Sequence, residues 1–221
     1  MRTKRPVAAP RLPPELEHAN LGALADGDRI DAVEISGGDA SEQQADEVTF
    51  NRTTLTGVDL AGSALTRLHV ADSVLTDCNL ANVNGRRASL NRTKIDRCRM
   101  TGMSVQEATL RDVTIHGCRV DLASFGSCDL ARVTFEDCRL TDATFLDAKL
   151  DGVRFIGCDL THADFRDARM RDCEFRGSVL TDIEGVAHLR GAAIDGPTIV
   201  GLADVWAAAL GIDVLDPGDA A

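Results

Sequence analysis

The 221-residue chain has no tyrosine, one tryptophan and only 4% aromatic residues. It has no run of about 18 apolar residues, so no transmembrane helix is expected. Its opening stretch, MRTKRPVAAPRLPP, is basic but carries no apolar segment, so no secretory signal is expected either. Basic charge is not in excess. The formal net charge is −11, which argues against direct nucleic-acid binding, because that requires neutralised phosphates. Catalytic signatures are missing as well: there is no GxSxG, Walker loop, HExxH or dinucleotide-binding fingerprint. The histidines (His18, His69, His116, His162 and His188) lack metal-site spacing, and no CxxC accompanies the seven cysteines. Neither an enzyme nor a cofactor is expected. What remains is a chain that is 44% hydrophobic, long enough to bury a core and too apolar to be disordered as a whole.

The apolar residues follow a period of five. From Phe50 to Leu180 a large apolar residue stands at every multiple of five, and only Gly85 interrupts the series. Two residues before most centres stands a smaller residue, such as Val58, Ser73, Cys98, Ala123 or Ala143. The other places are mostly Asp, Arg, Thr, Asn and Gly. A helix needs a period of 3.6 and a flat strand a period of 2, so neither explains the pattern. A short strand followed by a sharp corner does. Four such units close a square coil of twenty residues, and coils stack at the parallel-strand spacing of about 4.8 Å. Each coil needs neighbours to bury its face, which makes the chain a solenoid.

The twenty-residue coil predicts columns. Cys78, Cys98, Cys118, Cys138 and Cys158 form one, at the small inward position, and Cys128 and Cys173 fill the same position on other faces. Cysteine there is read as a small hydrophobe in a tight corner. Stacked neighbours point alongside each other, which suits disulfides poorly, and a reduced, cytoplasmic protein is expected. Phe125, Phe145 and Phe165 form a second column, and Phe135, Phe155 and Phe175 a third on the opposite face. Arg52, Asp72, Arg92, Asp112, Arg132 and Asp172 form an outward column of alternating sign, broken by Gly152.

The units CNLAN (78–82), CDLAR (128–132), CDLTH (158–162), ADFRD (163–167) and CEFRG (173–177) resemble the pentapeptide-repeat family, whose consensus is A(D/N)LXX. The resemblance covers about residues 46–185. It implies an all-β solenoid, a right-handed quadrilateral parallel β-helix, here with a C-terminal α-helix. The domain reading is a disordered N-terminus with a short cap helix (15–24) within residues 1–27, a β-helix over 28–195, and a capping and dimerising segment over 196–221. After a one-residue slip in register past Gly185, Leu189 and Ile194 become the last centres. Ile199, Leu202, Val205, Trp206 and Leu210 then make an apolar helical stripe, which points to a cap over the last coil and a homodimer contact, with Gly211 as C-cap.

Some members of this family bind DNA gyrase in place of DNA and protect it from quinolones or natural gyrase poisons. The uninterrupted register resembles the loopless, mycobacterial fluoroquinolone-resistance type. A rod of seven regular coils is about 34 Å long. Its charge is uneven: −4 over residues 46–185, −3 over 1–45 and −4 over 186–221. Glu107, Asp147, Asp164, Asp167 and Glu184 lie on the face of the Phe125 column, offset in its later coils only by Arg166, and form the candidate gyrase-binding face. The alternative is a structural or scaffold protein that binds another protein through its flat faces.

Overall fold

The computed structural model describes residues 6–214. The chain winds as a parallel β-solenoid with four short sides per coil. Phe50 pairs with Val70, Val70 with Leu90, Leu90 with Leu110 and Leu110 with Leu130, each twenty residues on. The next side does the same through Leu55, Leu75, Ile95, Ile115, Phe135, Phe155 and Phe175. The sides are named below by their centres, in chain order: the Phe125, Leu130, Phe135 and Leu140 faces.

The corners have one backbone cause. Without exception from Ala32 to Asp182, the residue two places after each centre has a left-handed backbone, with φ between 47° and 69°. That region is costly for most L-residues and cheap for Gly, Asn and Asp. Gly57, Gly117, Asp137 and Asp147 meet the requirement at little cost, whereas Arg52, Arg92 and Leu122 are held there by the coil.

The small inward position has its own logic. At corners leaving the Phe125 and Leu140 faces the chain closes a turn on itself, as where Ala148 N–H donates to the Phe145 carbonyl at 3.0 Å. Alanine suffices there. Between the Phe135 and Leu140 faces no such bond forms, and the N–H donates instead to the small side chain of the next coil. Cys78 N–H reaches Cys98 Sγ at 3.3 Å, Cys98 N–H reaches Cys118 Sγ at 3.2 Å, and Cys158 N–H reaches Ser178 Oγ at 3.1 Å. The cysteine column therefore supplies acceptors that a buried backbone donor needs. All seven cysteines are free and buried. Burial pushes the Cys128 thiol up to about 12 and the Cys173 thiol up to about 11.

Within the coil the two phenylalanine columns are fully buried. Rings along each column stack at 4.9–5.1 Å and 5–10° between planes, and meet the opposite column edge-on. The outward column is an ion-pair ladder: Arg92 holds Asp72 and Arg132 holds Asp112 through both carboxylate oxygens, at 2.5–2.7 Å. Arg52 pairs with Asp31 instead of Asp72.

Both ends correct the sequence reading. Residues 15–24 form no helix. Glu17–Ala19 is a strand paired with Val33–Ile35, because the open first coil offers unpaired backbone groups that a strand satisfies and a helix does not. The β-helix thus begins near residue 17. Residues 6–14 are not a free tail: Ala8 N–H donates to Asp112 Oδ1 at 3.2 Å and Arg11 N–H to Asp72 Oδ1 at 3.1 Å. The expectation for residues 1–5 lies outside the described residues.

At the other end the one-residue slip is present, with Phe175 opposite Ile194. Gly185 makes it possible. Its φ is 77°, and a Cβ there would lie 2.4 Å from the Arg166 backbone nitrogen. The terminal stripe is two short helices rather than one, α1 (Gly196–Val200) and α2 (Ala203–Ala209). Asp195 caps α1 by accepting from Thr198 N–H at 2.9 Å. The chain bends at Gly201, and the fully buried Leu202 anchors the bend. Residues 215–221 lie outside the described residues.

Candidate functional site

The Phe125 face starts with two short paired strands, Gln44–Asp46 and Ala64–Thr66, and continues from Asn84 as isolated bridges through Ser104, Ser124, Thr144, Asp164 and Glu184 from coil to coil. Outward side chains alternate with the buried centres, so residues one before and one after Phe125, Phe145 and Phe165 stand on this face, and the left-handed residues stand on its edges. Because Gly126 lacks a side chain and Ser124 has a short one, the middle of the face is hollow. The open recess measures about 780 Å³ and is bordered by Gln106, Glu107, Leu146, Asp147, Asp167 and His188.

The five predicted acidic residues share this face, but not as equals. Glu107 is held by both Arg86 and Arg87, and these guanidiniums keep its carboxyl below the usual glutamate range. Asp164 accepts two bonds from Arg166 at 2.9–3.0 Å, which lower its carboxyl in the same way. Arg166 also reaches Glu184 at 2.9 Å. Three arginines therefore stand against five carboxylates. Asp147 and Asp167 are left with a Ser127 hydroxyl at 3.2 Å and His188 Nε2 at 3.7 Å respectively.

The neighbouring edge, between the Leu140 and Phe125 faces, adds two carboxylates that the sequence reading did not single out. His162 lies between Asp142, at 3.4 Å, and Asp182, at 3.7 Å. Carboxylates without an arginine ion pair thus stand on both edges of the Phe125 face in the later coils, beside His162, His188 and Arg169, which lines the same recess. Twenty-residue arithmetic was enough to find both features, since Arg87–Glu107 and Asp142–His162–Asp182 are successive members of edge columns. Among the described residues no group of three or more side chains is arranged to hold a metal ion, and no helix is long and apolar enough to cross a membrane.

The C-terminal stripe divides in two. Leu202 is fully buried and Val205 packs against the core. Ile199, Trp206 and Leu210 face outward, Leu210 with 75% exposure, and are joined by exposed Val200, Ile212 and Val214. Ile199, Trp206 and Leu210, with Leu189 and Ile194, line an apolar groove of about 480 Å³.

A family model described as pentapeptide repeat region matches residues 48–125 and 121–185. Trypsin-treated QnrB1, a plasmid-mediated fluoroquinolone resistance protein, has a similar fold, with a TM-score of 0.64 and 22% identity over 90% of this chain and 99% of that one. HetL, a pentapeptide repeat protein involved in heterocyst differentiation regulation from the cyanobacterium Nostoc sp. strain PCC 7120, aligns at a TM-score of 0.41 and 17% identity, over 76% of this chain and 90% of that one. No curated protein sequence matches the chain.

Proposed function

The chain belongs to the pentapeptide-repeat family, and from that premise we propose that it is a binding protein, not an enzyme, that mimics duplex DNA. Its partner in this reading is DNA gyrase or a related type II topoisomerase, which it protects from quinolones or natural gyrase poisons in the cytoplasm. The observation that carries the reading is the later half of the Phe125 face. There Asp142, Asp147, Asp167 and Asp182 stand with no arginine in ion-pair contact among the described residues, and only His162, His188 and Ser127 beside them. A basic DNA saddle gains from such fixed charges the same long-range attraction that it gains from phosphates. QnrB1, whose rod is similar, is a fluoroquinolone resistance protein, which is the role proposed here. A second reading, a scaffold for another protein, draws support from Val179, exposed at 49% on the Leu140 face, and Leu122, exposed at 61% on the edge between the Leu140 and Phe125 faces.

The exposed residues Ile199, Trp206 and Leu210 are the proposed homodimer contact, and a tail-to-tail dimer doubles the rod and places the acidic ends beside its centre. W206E/L210E is expected to give a monomer in light scattering where the unaltered protein gives a dimer. The test of function is gyrase supercoiling. Micromolar protein is expected to inhibit it, and D147K/D167K to lose that inhibition while keeping its circular dichroism. Inhibition that is absent, or unchanged in D147K/D167K, overturns the assignment.

A further inference from the structure

The edge between the Leu130 and Phe135 faces does not border the acidic face, and part of the chain already occupies it. Residues 6–14 contain Pro6, Pro10, Pro13 and Pro14 and have no helix or strand. Proline fixes its own φ and pushes the preceding residue toward extended conformations, so the sequence favours polyproline II here. That helix advances about 9.3 Å every three residues. Two coils of the solenoid are about 9.6 Å apart at the parallel-strand spacing. The two repeats match. Ala8 and Arg11, three residues apart, donate their N–H groups to Asp112 and Asp72, two coils apart.

The alternating column produces this spacing. Asp72 and Asp112 stand two coils apart, and the arginine of the following coil fixes each one: Arg92 holds Asp72, and Arg132 holds Asp112. Their side chains are only 12% and 13% exposed. The match also ends where it should. One step beyond Asp72 the column has Ala32, and the strap there has Pro14, which has no N–H to donate.

We propose that the Asp72–Asp112 edge is a recognition track for an extended, proline-rich peptide, and that residues 6–14 are its tethered occupant. Backbone donors spaced three apart set the register, and Pro10 between them, with Pro6, Pro13 and Pro14 on either side, limits the entropy lost on binding. A segment of this chemistry on another protein takes the track when the strap leaves it.

The test keeps the chain at full length. In the unaltered protein the amides of Ala8 and Arg11 are expected to exchange at least about tenfold more slowly than those of Ala9 and Leu12. A8P/R11P removes both donors and frees the track. A fluorescent peptide of residues 6–16 is expected to bind this variant saturably below about 1 mM, and to bind the unaltered protein at least about tenfold more weakly, because its own strap competes. The same peptide carrying both prolines is expected not to bind. The proposal is overturned if the two peptides bind A8P/R11P alike, if neither binds below that concentration, or if the Ala8 and Arg11 amides exchange as fast as their neighbours.

Discussion

The solenoid keeps one register from end to end, yet its two halves are filled differently. From Phe125 onward, six phenylalanines form two facing stacks, and every one is fully buried. From Phe50 to Val105 the centres are mostly Leu and Val, and the interior holds an apolar void of about 60 Å³. Gly85, the one missing centre, is among the residues that line the void, with Phe50, Leu65, Leu80, Val105 and others from neighbouring coils. Leu90, the next centre, is half-buried rather than buried. Backbone geometry alone therefore does not guarantee a full core. The coil fixes where each side chain points, and residue volume decides whether the space closes.

The difference can be broken from either side. The largest effect belongs to F145A. Phe145 stacks on Phe125 and Phe165 and meets Phe135 and Phe155 edge-on, so its removal opens a cavity and severs four ring contacts. A loss of about 3–5 kcal/mol is expected in chemical denaturation. L65A is expected to cost less, toward the lower end of about 2–5 kcal/mol, because Leu65 already faces the void and has fewer partner atoms to lose. Equal costs would mean that the two halves are equally well packed.

A smaller effect, of opposite sign, is expected at the break itself. Gly85 does not have a positive φ, and a Cβ there would meet Val105 Cγ1 at 3.4 Å and Ala88 Cβ at 3.7 Å, which is ordinary contact. G85A is therefore expected to stabilise the protein by about 0.4–1 kcal/mol, partly by restricting the unfolded chain. The matching change at Gly185 has no such freedom, since its Cβ would strike the Arg166 backbone.

The smallest effect is the pH response of the edge ladder. Arg92 lowers the carboxyl of Asp72 and Arg132 that of Asp112, with further help from the strap amides. A carboxyl depressed in the folded state contributes stability that is complete above its unfolded value, about 3.9, and is lost as pH falls through the folded value. Urea midpoints are expected to be insensitive to these groups at pH 5–7 and to fall below about pH 4. D112N is expected to flatten that fall.

Much of this was legible in the sequence because the repeat makes each residue's direction a matter of arithmetic. The phenylalanine stacks, the cysteine column and the register slip after Gly185 all follow from counting. Contacts that leave the repeat were harder to read. The strap has no apolar period, and its anchors at Asp72 and Asp112 are sixty or more residues away in sequence. Glu17–Ala19 joins the sheet sixteen residues below its partner, off the twenty-residue count. On the acidic face, position was readable but compensation was not. Long arginine side chains choose among neighbours, and Arg86, Arg87 and Arg166 neutralise part of what the column count left acidic.

In the proposed function the later half of the rod occupies a DNA site. The direct measurement is displacement of a labelled duplex from DNA gyrase by the full-length protein, read by fluorescence anisotropy over a range of salt. The duplex is expected to be released competitively at every salt concentration at which it binds, and D147K/D167K is expected to release none. Protein that binds gyrase while the duplex stays bound, or that leaves the anisotropy unchanged at every salt concentration, would contradict that reading.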